Sequence, residues 1–312
     1  MLNASDISAF ILLGFPDQVE KNMLYFILYL VIYITSLIAN VLIILVVFLH
    51  HPLHTPMYFF LVNLSITDLG SISVTIPKAM INAFLNSREI SYSGCVAQVY
   101  SLLFFAMSDF FLLTGMAYDR YIAICDPLHY EIIMGRKTCL QLAVIAWISA
   151  VLYLALHTCG TFVINFCSNV LNDFFCDVSQ LLKLSCDNSY LIEVGFILFS
   201  LISVLFPCFG FIIISYVHIF KSVFRIPPSQ RQNKAFSTCI PHLIVVSLFV
   251  CTASVNLLKP PSFSPSNVET VITILYSVVP SLINPIVYTM RNREIQASLC
   301  NMFKPAIPPR NQ

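Results

Sequence analysis

Long apolar blocks separated by short polar segments dominate the hydrophobic pattern of this 312-residue chain. Each block is close to the roughly 20 residues that an α-helix needs to cross a hydrocarbon core about 30 Å thick. The strands of a membrane barrel would be about half as long and would alternate apolar and polar residues. We therefore predict seven membrane-spanning helices, at Met23–Phe48, Pro56–Met80, Val96–Met116, Cys139–Gly160, Val194–Ile219, Cys239–Leu258 and Val268–Met290.

The composition supports a membrane protein and argues against a nucleic-acid partner. Hydrophobic residues make up 58% of the chain, charged residues 10%, and the mean hydropathy is +0.84, whereas about a quarter of the residues of soluble domains are charged. The net charge of +1 provides no concentrated basic surface for phosphates. We predict a single all-α membrane domain over residues 1–312, with an extracellular segment 1–22, a bundle 23–290 and a cytosolic tail 291–312.

The distribution of basic residues predicts the orientation of the bundle, because short cytosolic loops are enriched in Lys and Arg. With the N-terminus outside, most basic residues lie inside: Arg120, Arg136, Lys137, Lys221, Arg225, Arg231, Lys234, Arg291, Arg293, Lys304 and Arg310. Fewer lie outside: Lys21, Lys78, Arg88, Lys183 and Lys259. Residues 1–16 lack the basic start and apolar run of a cleavable signal peptide, so the first helix is expected to act as a signal anchor.

One glycosylation sequon agrees with this orientation. Asn3-Ala4-Ser5 lies on the predicted outer side, about 20 residues before the first span. Such a tripeptide also arises by chance. A second sequon at Asn63 falls inside the second predicted helix, where no transferase reaches, so Asn3 is the candidate.

The cysteines divide between the two sides of the membrane. Cys95, Cys167, Cys176 and Cys186 lie on the outer side, where disulfides form. Four cysteines allow three pairings, between which the spacing cannot choose. Each pairing would tie the long loop between the fourth and fifth helices across the mouth of the bundle.

An adjacent acid and base lie where the third apolar block ends. Asp119 and Arg120 stand within MAYDRYIAIC, Met116–Cys125, at the predicted cytosolic end of that helix. An unpaired buried charge is costly, so the two side chains are expected to pair at the rim of the membrane.

Prolines in the later helices indicate bends. Pro207, Pro241, Pro280 and Pro285 fall inside the fifth, sixth and seventh predicted helices. Each removes a backbone donor and is expected to kink its helix, although membrane helices tolerate proline in general.

Five segments along the chain resemble the olfactory (odorant) receptors, a branch of the rhodopsin-like G-protein-coupled receptors. They span nearly the whole chain in the order of that family: Gly14-Phe15-Pro16, PMYFFLVNLSITD at 56–68, MAYDRYIAIC at 116–125, KAFSTCIPHL at 234–243 and PSLINPIVYTMRN at 280–292. The resemblance implies a receptor in the plasma membrane, not an enzyme. Its implied partners are a small, mostly apolar odorant, membrane lipid and a stimulatory G protein that raises cyclic AMP.

The resemblance also assigns roles at the cytosolic side. Arg120 would be held by Asp119 at rest and would turn toward the G protein on activation, with Tyr121 beside it. Tyr216 and Tyr288 resemble the tyrosines that rearrange near this arginine. Asn284 and Pro285 would form the hinge of the seventh helix.

Two disulfides follow from the same resemblance. Cys95 and Cys176 would join the third helix to the outer loop. Cys167 and Cys186 would then pair within that loop.

Two acids within the predicted spans indicate a functional site, because intramembrane carboxylates are expensive. Asp68 and Asp109 match family acids near a sodium site, so these two residues and Asn284 are expected to share a sodium ion. No other cofactor is implied. The alternative is that one acid is protonated and only hydrogen-bonded, because two close carboxylates without a cation repel each other.

The ligand residues are assigned from helical spacing and from the depth at which the family binds odorants. They are Leu102, Leu103, Ala106, Met107, Ser200, Val204, Ala253, Ser254, Leu257, Ile274 and Ser277. They would enclose an apolar cavity with a few hydroxyls, suited to a small volatile molecule. Plain packing between helices is the alternative for each. His157, near the outer end of the fourth helix, is expected to be a capped or lipid-edge residue.

The sixth helix departs from the family pattern. An aromatic residue typically follows the position of Phe249, whereas this chain has Val250 and Cys251. The ring expected beneath the ligand is missing, and Phe249 is the available substitute.

Two other classes of membrane protein fit less well. A secondary transporter would show internal repeats and paired broken helices, and the sequence contains no repeat. An intramembrane enzyme would need a nucleophile with a base, or a metal motif such as HExxH, which is absent from the sequence.

Overall fold

A computed structural model describes residues 7–14, 19–186, 188–225, 230–257 and 267–302. Asn3 and the Phe15-Pro16 part of the N-terminal motif lie outside these residues. In the described part of the chain, each of the seven predicted spans is a helix. The bounds are Val19–Leu49, Pro56–Leu85, Tyr92–Cys125, Arg136–Phe162, Tyr190–Arg225, Gln230–Leu257 and Asn267–Arg291.

Length and hydropathy make six of these helices candidate membrane spans, and the described apolar part of the seventh, Ser277–Met290, is shorter. Large apolar side chains face outward, as at Phe48, which is 77% exposed, and Ile192, which is 79% exposed. Polar side chains such as Asn40 are buried instead. This arrangement suits a bundle whose outer surface contacts lipid.

The third helix is the centre of the bundle, because it packs against the second, fourth, fifth and sixth helices. The first and seventh helices are joined by polar contacts. Asn40 donates from Nδ2 to the Ser281 carbonyl at 3.0 Å, and the Ser36 hydroxyl donates to the same oxygen at 2.8 Å. Hydrogen bonds of this kind between buried groups fix the register of two apolar helices.

A small sheet covers the outer end of the bundle. β1 (Ala9–Leu12) pairs with β2 (Glu89–Ser91) in antiparallel and with β3 (Val170–Leu171) in parallel orientation, so the N-terminal strand is central. Phe10 and Leu12 of this strand are fully buried. The sequence pattern places this segment outside the membrane but does not predict a strand.

The two expected disulfides are present. Cys95 at the start of the third helix bonds to Cys176 of the outer loop, with 5.5 Å between their Cα atoms. Cys167 bonds to Cys186 within the loop. The side-chain oxygen Oε1 of Gln98 also accepts from the Cys176 backbone N–H at 2.9 Å, so the loop is held beside the third helix.

The fifth helix changes its geometry just before its proline. A π-helical turn at Leu201–Leu205 separates Tyr190–Ser200 from Phe206–Arg225, and Pro207 lies two residues after the end of the turn. The sixth and seventh helices stay α-helical through Pro241, Pro280 and Pro285, as the second does through Pro77.

Candidate functional site

The inner end of the third helix holds a buried ion pair. Arg120 Nη2 lies 2.7 Å from Asp119 Oδ2, and the side chains are 11% and 1% exposed. The Asp119 carboxylate is therefore inside the protein, and its charge is compensated there. A charged hydrogen bond of this length is among the stronger ones in proteins.

A second donor holds the other oxygen of Asp119. The Tyr130 hydroxyl, from the short helix Tyr130–Ile133 in the second inner loop, donates to Asp119 Oδ1 at 2.8 Å. Burial, and then the negative charge of Asp119, raise the pKa of Tyr130, so its hydroxyl stays protonated. Asp119 thus binds the inner loop and Arg120 at the same time.

His242 of the sixth helix connects three helices beside this pair. Its Nε2 lies 2.9 Å from the Leu113 carbonyl of the third helix, and its Nδ1 lies 2.9 Å from the Tyr216 hydroxyl of the fifth. A carbonyl only accepts, so Nε2 carries the proton and Nδ1 accepts from Tyr216. The imidazole is 1% exposed and follows Pro241 directly.

The other tyrosines assigned to the switch contact residues other than Arg120. The buried Tyr288 hydroxyl lies 3.9 Å from Met116 Sδ. The Tyr121 ring packs edge-on against His218, with ring centres 6.1 Å apart. Tyr216 is engaged by His242, and the hydrogen-bond partner described for Arg120 is Asp119.

A polar cluster lies in the middle of the bundle. Asn284 Nδ2 donates to both oxygens of Asp68, at 3.3 and 3.1 Å, and the Thr67 hydroxyl donates to Asp109. Asp68 and Asp109 are close enough for their charges to interact. Among the described residues, the buried Asn284 Oδ1 has no hydrogen-bond partner. Carboxylate and amide oxygens are the ligands that a hard cation prefers, so these residues fit a sodium ion. Pro285, the next residue, is buried in the same helix.

The described ligand candidates lie in the outer half of the bundle. Ser277 and Leu102 are buried, and Leu103, Ala106, Met107, Val204, Ala253 and Ser254 are half-buried. The side chains of Leu257 and Ile274 lie outside the described part of the structure. Leu102 packs in one cluster with Phe174 and Phe175 of the outer loop, so the loop reaches down to the predicted ligand depth.

A cavity of about 450 Å³ lies elsewhere, between the third, fourth and fifth helices and Phe60 of the second. Its walls are apolar and include Phe111, Leu142 and Phe211. None of the predicted ligand residues whose side chains are described lines it. This cavity is therefore distinct from the site assigned by resemblance.

The departure in the sixth helix is compensated in part by Phe249. Its ring stacks on Phe110 of the third helix, with centres 5.7 Å apart and an interplanar angle of 20°. Val250 is half-buried against the same core, and Cys251 is exposed. An aromatic contact between the third and sixth helices is present here, although Val250 itself cannot provide one.

A hydrogen bond joins His157 of the fourth helix to Ser200 of the fifth. His157 is 6% exposed, and its ring nitrogens contact Glu193 at 2.7 Å and Ser200 at 3.2 Å. The expectation of a lipid-edge histidine is therefore wrong. The sequence does not predict the burial of His157, because its partner Glu193 is 36 residues away and no local sequence pattern indicates the contact.

The inner face carries exposed basic side chains. Arg136, Lys137, Lys221, Arg225 and Arg293 are exposed in the described part of the structure. The side chains of Arg231, Lys234 and Arg291 lie outside it. These positive charges suit an acidic protein surface or anionic lipid.

Comparisons with known proteins agree on one family. The family model described as olfactory receptor matches residues 29–305. Human olfactory receptor 14A16 is 46% identical over 305 residues, which cover 97% of this chain and 98% of that protein. Human olfactory receptor 14A2 is 41% identical over 306 residues, 97% of each chain. Mouse olfactory receptor 1E16 is 43% identical over 302 residues, 96% of each chain.

Proposed function

Because the chain belongs to the olfactory receptor family, we propose that it binds a small, mostly apolar, volatile molecule and activates a stimulatory G protein that raises cyclic AMP. Family membership makes it a multi-pass membrane receptor for odorants, not an enzyme. The proposal adds the chemistry of the ligand, the class of G protein and signalling at the plasma membrane.

The main support for the coupling step is the pair of hydrogen bonds that the Asp119 carboxylate accepts. In this structure Asp119 accepts from both Arg120 and Tyr130. When Arg120 turns toward a G protein, Tyr130 still satisfies one oxygen of the buried carboxylate. The loop hydroxyl therefore lowers the cost of releasing Arg120, because an unsatisfied buried charge costs more than a partly satisfied one.

His242 provides the second step. Its bonds to Tyr216 and Leu113 hold the sixth helix against the fifth and third. Outward movement of the inner half of the sixth helix would break both bonds. The freed Tyr216 hydroxyl would then be available to Arg120, which loses Asp119 in the same transition.

Ligand binding drives this transition only through a difference in affinity between the two arrangements. The half-buried Val204 and Ala253, with the hydroxyls of Ser254 and Ser277, suit an apolar molecule held by area burial and one hydrogen bond. The stacked Phe249 and Phe110 link this depth to the inner half of the sixth helix. Movement of that ring pair is our proposed connection between ligand and His242.

The sodium site belongs to the same proposal. Asp68, Asp109 and the buried Asn284 Oδ1 would hold the ion between the second, third and seventh helices. A bound cation would supply positive charge that two interacting carboxylates otherwise lack. Asn284 would then orient Asp68 through its amide hydrogens.

A screen for cyclic AMP tests the proposal. Cells that express this chain with a surface tag are exposed to a broad panel of volatile odorants, next to cells that express no receptor. A receptor-dependent rise in cyclic AMP for at least one odorant supports it. A response through calcium alone, with cyclic AMP unchanged, would contradict the stimulatory class of G protein.

A further inference from the structure

A buried acid and base connect the outer halves of the fourth and fifth helices. Glu193 Oε1 lies 2.7 Å from His157 Nδ1, and the side chains are 3% and 8% exposed. His157 Nε2 lies 3.2 Å from the Ser200 hydroxyl oxygen, and Ser200 is 2% exposed. The three side chains form one chain of hydrogen bonds across the two helices.

The hydrogen positions follow from the partners. The Ser200 hydroxyl lies 2.6 Å from the Phe196 carbonyl, which can only accept, so Ser200 donates its single hydrogen there. His157 Nε2 must therefore donate to Ser200. A second proton lies between Nδ1 and the Glu193 carboxyl group, and the pair is electrically neutral as a whole. This neutrality lowers the cost of burying the two groups in an apolar bundle.

The packing around the cluster is tight. The rings of Tyr153 and Phe196 lie 4.6 and 4.5 Å from the His157 ring, centre to centre. A Cβ atom on Gly160 would collide with Glu193 Oε2. The fourth helix approaches the carboxylate closely only because residue 160 is glycine.

The cluster lies directly before the π-helical turn of the fifth helix, and Val204 belongs to that turn. The segment Tyr190–Ser200 is thus fixed to the fourth helix at both Glu193 and Ser200. The π-helical turn that follows Ser200 is the point at which the fifth helix changes its geometry. The direction in which Val204 faces therefore depends on where the cluster holds the preceding segment.

We propose that Glu193, His157 and Ser200 are positioning residues that set the fifth-helix wall of the odorant cavity and so determine which odorants the receptor prefers. This inference rests on the proposed function, because it requires an odorant cavity beside Val204. Ser200 acts through His157 and its own helix, and its hydroxyl hydrogen is not available to a ligand.

The test compares Glu193→Ala, His157→Ala, the double variant and Glu193→Gln in the full-length receptor. Glu89→Ala is the matched control, because Glu89 is an exposed acid on the outer side. The amide introduced by Glu193→Gln can still hydrogen-bond Nδ1 of a neutral His157, so it keeps the hydrogen-bond chain without the ionisable group. Concentration–response curves are measured for several active odorants of different length, at matched surface levels, together with melting temperatures of the purified receptors.

We expect each alanine variant to change the order of potency among the odorants and to shift individual potencies by about tenfold, the effect of roughly 1.4 kcal/mol. The double variant should shift them no further than His157→Ala alone, because that variant already removes the contact with Glu193. Glu193→Gln should retain the wild-type order, as should Glu89→Ala.

Two results would overturn the inference. One is an unchanged order of potency in both alanine variants at wild-type surface levels. The other is a double variant whose potency shifts are the product of the single shifts. If the alanine variants fail to reach the surface, Glu193→Gln and Gly160→Ala are compared instead. Only Gly160→Ala should alter the order of odorant potency, because its Cβ atom would displace the Glu193 carboxylate. A wild-type receptor that responds to no odorant would contradict the proposed function instead. In that case, non-additive changes in melting temperature among the single and double alanine variants would still identify the contact between Glu193 and His157.

Discussion

The Tyr216 hydroxyl donates to His242 Nδ1 at 2.9 Å, while the opposite nitrogen of that ring donates to the Leu113 carbonyl. One imidazole thus joins the third, fifth and sixth helices in the inner half of the bundle. Two buried hydrogen bonds thus hold the sixth helix against the third and fifth, from which the proposed activation would separate it. We therefore predict that loss of the His242 side chain alone releases the sixth helix from its resting position.

His242→Ala should raise signalling in the absence of odorant by several-fold. It removes two buried hydrogen bonds, each worth about 1 kcal/mol, that exist only while the sixth helix is packed inward. Basal cyclic AMP per receptor at the surface measures the effect. His129→Ala is the control, because His129 is an exposed histidine of the inner loop. Equal basal signalling in the two variants would count against the release mechanism.

Tyr130→Phe should act in the opposite direction. It removes the donor that remains on Asp119 after Arg120 has left, so the active arrangement loses more than the resting one. The maximal response to an odorant should fall several-fold at unchanged surface expression. A higher basal signal would contradict this role for the loop hydroxyl.

The sequence predicts most of the bundle because each span is long and uniformly apolar. The inner pair Asp119 and Arg120 is predictable because both residues are adjacent at the end of such a span. The contact of Tyr130 with Asp119 is not predictable, because Tyr130 lies 11 residues further along the chain in a loop whose course depends on packing. His242 looks like a single polar residue in an apolar helix, and its two partners lie on other helices.

The outer surface is harder to predict for a similar reason. β1 has four residues, and its pairing partners lie about 80 and 160 positions further along the chain. Phe10 and Leu12 are buried because they pack in one cluster with residues from distant parts of the chain, such as Val99, Phe166 and Leu181. His157 and Glu193 meet across two helices, and neither position has a periodic signal that indicates the other.

Cys95→Ser should reduce delivery to the cell surface. The bond to Cys176 holds the outer loop to the third helix, and the loss of such a disulfide costs about 2–5 kcal/mol. Flow cytometry of an N-terminal tag measures the surface fraction. Cys251→Ser is the control, since Cys251 is a free and exposed cysteine. Equal surface levels for both variants would argue against a structural role of the disulfide.

Sodium should raise the melting temperature of the purified receptor relative to choline at the same ionic strength. Asp68→Asn should remove this difference, because it takes one negative charge from the proposed site. Glu89→Gln, which changes an exposed acid, should keep it. An equal melting temperature of the wild type in both salts would contradict a sodium site.

The central claim is that Arg120 transmits odorant binding to a G protein. The most direct measurement is odorant-evoked cyclic AMP in cells that express Arg120→Ala, wild type or the exposed-arginine control Arg293→Ala at equal surface levels. We predict that the response disappears in Arg120→Ala and persists in the control. An undiminished response in Arg120→Ala would contradict the account.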